Sequence, residues 1–172
     1  MKSWIQKAMS VALVAASFAG AAAASTVKFD YDRTADFSTY ESWAWKRGDE
    51  RGGSSLAEAR IRRALAEGLA ERGFERVEAV AQADFLVDYR AAAHGELRLR
   101  EGFRTPGFGR DLSVDRVPIG TLVVDIFDAS SRELVWRGVI SDVLARDPEK
   151  AEKKTVRSVG KLFGKFPPPP SR

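Results

Sequence analysis

The stretch GTLVVDIFDASSRELVWRGVI, Gly120–Ile140, decides the fold. Leu122 to Phe127 is apolar on both alternating faces, as in a strand at the centre of a sheet. Asp128-Ala-Ser-Ser-Arg132 follows, and an Asp that bonds its own backbone is a turn former. Glu133 to Ile140 then returns as a second strand. So short a connection joins antiparallel neighbours, so the centre of the molecule is a hairpin in a sheet.

Upstream, Phe85-Leu-Val-Asp-Tyr89 alternates as a further strand, and Thr26 to Tyr31 does the same with Val27, Phe29 and Tyr31 on one side. A short strand over Ser42–Trp45 and another within Phe74–Val77 complete the β content. Leu97 and Leu99 alternate with arginines, which extends a ribbon, but Glu101 to Arg110 (EGFRTPGFGR) is rich in Gly with a Pro, and regular structure is expected to fail there. Lys46 to Ser54 reads as a Gly-rich charged loop.

Two helices are predicted. Ser55 and Glu58 have capping-box spacing, Ile61, Ala64, Leu65, Gly68 and Leu69 form one apolar stripe, and Gly73 stops a helix over Leu56–Arg72. Asp147-Pro148-Glu149 opens the second, whose stripe of Val156, Val159, Phe163 and Phe166 is expected to dock beside Ile61, Leu65 and Leu69. Two amphipathic helices and a sheet with one buried face predict a two-layer α+β sandwich, mostly antiparallel with a mixed sheet, both helices on one face. Residues 25–166 form the single domain and residues 167–172 a Pro-rich tail.

Residues 1–24 read as a cleaved secretory signal: Lys2 and Lys7, an apolar Ala8–Phe18, and Ala22-Ala23-Ala24 before Ser25. The stretch is too short and too rich in Ala for a transmembrane anchor. The chain has no Cys, which excludes lipid attachment at a new N-terminus, disulfides, thiolate nucleophiles and thiolate metal sites. The expected location is periplasmic and free of the membrane. Loss of Lys2 and Lys7 takes the net charge from +4 to +2, and the cations alternate with acids, which argues against nucleic acid. One histidine, His94, leaves little for His-based metal or triad chemistry, and no GxGxxG or P-loop opens either helix. No cofactor and no metal are therefore predicted.

Several constellations have ordinary structural roles as well as functional ones. Asp30, Asp32 and Asp36 lack EF-hand spacing and read as a strand edge and turn. Trp43, Trp45, Phe37, Tyr40 and Trp136 read as core packing. Asp88, Asp125 and Asp128 offer carboxylates to a small hydrolase of the cell envelope, the alternative reading. The preferred candidate site lies on the Gly95–Pro118 excursion, where Arg98, Arg100, Phe103, Arg104, Phe108 and Arg110 combine cations and aromatics.

VKFDYDRTADFSTYESWAW (Val27–Trp45), RIRRALAEGLAERGF (Arg60–Phe74), ADFLVDY (Ala83–Tyr89), GTLVVDIFDASSRELVWRG (Gly120–Gly138) and VGKLFGKFPP (Val159–Pro168) together resemble domain of unknown function 4136. The resemblance implies a small envelope protein of Gram-negative bacteria, a group with many lipoproteins, and it brings no established activity or catalytic residues. The missing lipobox cysteine sets this chain apart and favours a free periplasmic form. A non-enzymatic binding module is the favoured function, its partner an envelope protein, a lipid-transport component or cell-wall material, with the oligomeric state left open.

Overall fold

A computed structural model describes residues 25–46, 55–102 and 111–167, with side chains over 25–46, 55–97 and 116–167. One sheet carries six strands: β1 (Thr26–Tyr31), β2 (Ser42–Trp45), β3 (Glu75–Arg76), β4 (Phe85–Gly102), β5 (Asp111–Asp128) and β6 (Leu134–Val143). Their spatial order is β1-β6-β5-β4-β2-β3. The β1–β6, β6–β5 and β5–β4 pairs are antiparallel, and β2 runs parallel to both β4 and β3. The sheet is thus mixed, as expected, and β5 and β4 are its central strands, with β6 of the β5–β6 hairpin next to β5 on the other side. Asp128 builds that hairpin's turn: its Oδ1 accepts the amides of Ser130 at 2.9 Å and Ser131 at 2.8 Å.

Helices α1 (Leu56–Ala70) and α2 (Pro148–Phe163) cover one face. Ser55 caps the first by accepting from the Glu58 amide, and Asp147 caps the second by accepting from the Lys150 amide. Arg60 Nε meets Glu152 at 2.8 Å near one end, and Arg72 meets the Phe163 carbonyl at the other. The helices therefore run parallel, with both N-termini at the same edge of the molecule. Their contact is close: a Cβ on Gly68 would sit 2.9 Å from Phe163 Cδ2. That missing atom is what lets α1 settle against α2.

Side chains of adjacent strands that share register share a face. Tyr31, Trp136, Ile126, Val87 and Trp45 form one such row, and Phe29, Gly138, Val124 and Tyr89 the next, all on the helix side. All but Phe29, which stays 40% exposed on the edge strand, face the core built with Leu65, Leu69, Leu162 and Phe163. Gly138 has no alternative there, because a Cβ would fall on the indole of Trp136.

The structure corrects two expectations, both at α2. Val156 is 43% exposed, while Leu162 replaces it in the buried stripe of α2. Phe166 is buried but lies beyond the helix, which ends at Phe163 before Pro167 is reached. The α1 helix ends at Ala70, within two residues of the expected end, and residues to Gly73, whose φ is 86°, form the turn that leaves it, as expected.

Candidate functional site

The β4–β5 ladder runs to Gly102↔Asp111, far past the point where β6 stops at Ile119↔Val143. The segment read as an irregular excursion between Gly95 and Pro118 is instead a two-stranded arm over much of its length. Register pairing overrode the local glycine signal, since Leu97 faces Arg116 and Leu99 faces Val114 across the ladder. Arg98 stands opposite Asp115 and Arg100 opposite Ser113 on that arm. Phe103, Arg104, Phe108 and Arg110 lie outside the described residues.

Two of the carboxylates proposed for hydrolysis, Asp125 and Asp128, are otherwise engaged. Asp88 and Asp125 are direct cross-strand neighbours on the face away from the helices. Asp125 is buried there between two arginines. Arg137 donates from Nε at 2.5 Å and from Nη2 at 2.8 Å, and Arg90 Nη2 donates at 2.6 Å. Both oxygens of Asp125 accept from arginines, and its side chain is buried rather than presented to an open cleft. This removes the observation that motivated a carboxylate-pair reading. Asp128 is spent on its turn and on the Tyr40 hydroxyl, which donates at 3.0 Å. The hydroxyl of Ser130, followed by the Ser131 amide, holds its carboxyl down at about 2. The same environment pushes the Tyr40 phenol upward, mainly through burial and then through its bond to Asp128. Asp32 and Asp36 close turns onto Thr34 and Ser38 in the same manner.

The aromatic cluster is core. Trp136 Nε1 donates to the Lys165 carbonyl at 3.2 Å, and its ring meets Phe166 at 5.3 Å. Trp43 is buried against Trp45, which in turn abuts Tyr89.

A cavity of about 920 Å³ opens where the arm leaves the body. Its floor is the helix-side face of β4, β5 and β6: Ala91 and Ala93, Gly120 and Leu122, and Ile140. Its walls are the first turns of α1 and the first half of α2, through Ala57, Ile61, Ala151 and Thr155. The floor is low because small residues meet across the ladder, Ala93 pairing with Gly120. Leu144 leans over that pair, its Cδ2 lying 2.5 Å from where a Gly120 Cβ would be.

Several polar groups at the rim are satisfied within the chain. Lys154 pairs with Asp142 at 2.9 Å, Arg60 with Glu152, and the Thr155 hydroxyl donates to the Ala151 carbonyl at 2.9 Å. Sequence reasoning missed this groove. Its lining comes from six separate segments, and its one local sign is the run of small residues Ala91-Ala92-Ala93. Among the described residues no group of three or more potential ligands stands close enough to hold a metal. No helix among them is long and apolar enough to cross a membrane.

These features define a class: a two-layer α+β sandwich with a projecting hairpin arm and an apolar groove at its base. The family model for Domain of unknown function (DUF4136) matches residues 27–168, and the chain belongs to that family. A DUF4136 family protein from Bacteroides thetaiotaomicron has the same fold at a TM-score of 0.51 and 11% identity, with 83% of this chain and 96% of that one covered. A PDZ domain protein from Parabacteroides distasonis aligns at 0.54 and 12% identity over 84% of this chain, which spans only 36% of that protein's length. A PelC dodecamer from Paraburkholderia phytofirmans aligns at 0.43 and 15% identity over 87% of this chain and 100% of that one. No curated protein matches the chain.

Proposed function

We propose that the protein is an exported, non-enzymatic binding module of the cell envelope, and that the groove at the base of the arm is where it binds. One observation carries the reading. A cavity of about 920 Å³ falls within the range of small-ligand pockets, and it is floored by apolar residues on a rigid sheet. The engagement of Asp125 and Asp128 supports binding over catalysis. Residues 1–24 support export, by their charge, apolar core and Ala-x-Ala end. The cations and aromatics between Arg98 and Arg110 are proposed as a second contact surface, with Arg98 and Arg100 carried by the arm.

Photocrosslinking in the intact host tests this. A benzophenone amino acid placed at Leu144, at the groove rim, is expected to give a discrete adduct in the periplasmic fraction. The same probe at Ala79, remote from the groove, should give none. Placing it at Arg98 compares the arm with the groove. Protein that begins at Met1 and stays in the cytosol, or no adduct from Leu144 or Arg98, overturns the reading.

A further inference from the structure

Independently of the groove, we infer that two copies of the chain join antiparallel through β1, about a two-fold axis at Phe29, so that their sheets become one. β1 has a neighbour, β6, on one side only, and their register runs unbroken from Thr26↔Ser141 to Tyr31↔Trp136. The Asp32 amide, one residue further on, donates to the Val135 carbonyl of β6 at 2.9 Å. Successive amides of a strand point to opposite edges, so those of Lys28 and Asp30 face β6 as well, and those of Val27, Phe29 and Tyr31 face outward. The Tyr31 amide agrees with this, since it donates to Asp30 Oδ1 at 2.9 Å and not to β6. An edge of this length is a template for another strand. The opposite edge of the sheet is blunted, because β3 is only Glu75 and Arg76.

Charge selects both the partner and the register. In a two-fold pair each contact occurs twice, so the strand must complement itself. An axis at Phe29 sets Lys28 of each copy opposite Asp30 of the other. These are non-hydrogen-bonded positions, where the side chains of an antiparallel pair come closest. An axis at Lys28 would set lysine against lysine, and one at Asp30 aspartate against aspartate, both unfavourable. An axis at Tyr31 would oppose Asp30 to Asp32, and one at Val27 leaves Lys28 facing only Thr26. On the helix side, Phe29 is 40% exposed in the single chain and meets its own copy at the axis, with Val27 beside Tyr31 to either side. On pairing, the Tyr31 amide passes to the Val27 carbonyl of the other copy, and Asp30 turns to the Lys28 ammonium. Lys165 Nζ lies 5.9 Å from the Phe29 ring, so its copy approaches it across the axis and holds the affinity down.

Sedimentation velocity of the full protein purified from its host should show a monomer–dimer equilibrium as concentration rises to ~1 mM, the range that reveals any Kd tighter than millimolar. Lys28→Glu and Asp30→Lys each set like charges across the axis twice, and each alone should weaken the dimer roughly tenfold or more. An equimolar mixture of the two variants should form a heterodimer, because opposite charges then meet at both positions. The double variant carrying both changes should dimerise as the natural chain does. Asp30 also stands beside Arg137 on β6, so the folding of Asp30→Lys is checked by circular dichroism. If it does not fold, Phe29→Cys is read in its place. In a chain with no other thiol, oxidised glutathione should close a disulfide across the axis, while Leu56→Cys, at a position 85% exposed, should stay monomeric.

A chain that stays monomeric across that range overturns the β1 pairing. So does a dimer that the single variants leave as tight as before, or a mixture of the two that associates no better than each alone. With the cysteine variants, a disulfide dimer that forms equally from Leu56→Cys counts against it too. None of these outcomes bears on the adduct from Leu144, so the pairing and the binding groove stand or fall separately.

Discussion

Arg72 reaches from the end of α1 to the end of α2, donating from Nε to the Phe163 carbonyl at 2.7 Å and to the Phe166 carbonyl at 3.2 Å. Its Nη1 bonds back to the Gly68 carbonyl at 3.1 Å. One guanidinium therefore serves the carboxyl ends of both helices. Because the helices run parallel, their negative ends lie side by side, and a cation between them relieves that repulsion. Arg72→Met keeps the stem and removes the donors, and should cost about 1.5–3 kcal/mol in urea unfolding. Arg72→Lys should recover less than half, since an ammonium cannot reproduce the planar fork.

Phe166 is the ring on which the aromatic core converges. It contacts Phe37 at 5.9 Å, Phe74 at 5.6 Å, Phe85 at 5.7 Å and Trp136 at 5.3 Å between ring centroids. Phe166→Ala should cost about 3–5 kcal/mol, as should Phe163→Ala in the buried face of α2. A denaturation midpoint unchanged in either variant would contradict the packing described.

The acid limb of stability should carry the signature of Asp128, depressed from 3.8 to about 2. A carboxyl that holds its proton less tightly when folded stabilises the native state fully above about pH 4 and loses that contribution as pH falls toward 2. Asp32, Asp36 and Asp84 are lowered too and act in the same window. Asp128→Asn should be less stable at neutral pH and should show a shallower decline between about pH 4 and 2. Urea midpoints measured across that window would decide it.

The two arginines at Asp125 should be unequal. Arg137 binds bidentately, Arg90 through one nitrogen, and Arg90 is the more exposed at 64%. Arg90→Ala should cost less than about 1 kcal/mol, in the range of exposed ion pairs. Arg137→Ala should cost about 1.5–3 kcal/mol because it leaves a buried oxygen of Asp125 short of a donor. Equal losses in the two variants would argue that the cluster acts only through net charge.

Local signals carried most of the fold. The β5–β6 hairpin, both helix caps and the Ser42–Trp45 strand were legible because each is written in adjacent residues: a run of branched side chains, a Ser three before a Glu, an Asp before a Pro. Long-range pairing was not legible. Nothing near Gly95 or Pro118 announces that they face one another, yet that register turns a glycine-rich stretch into an arm. The exchange of Val156 for Leu162 has the same origin, since both positions fit a helical stripe and only the placement of Trp136 and Gly138 decides which is buried. The groove was hidden for a further reason: it consists of small residues, and alanine and glycine carry no chemical signature in a sequence.

The strand at one edge of the sheet has its sole neighbour almost at the other end of the chain: Tyr31 pairs with Trp136 and Thr26 with Ser141. A nascent polypeptide emerging N-terminus first thus carries β1 unpaired until roughly a hundred more residues have appeared. Sheet completion waits on the last third of synthesis, so closure should be slow beside that of a fold with local contacts. During that interval Val27, Phe29 and Tyr31 form an open, adhesive segment, the point at which an attendant chaperone has most to protect.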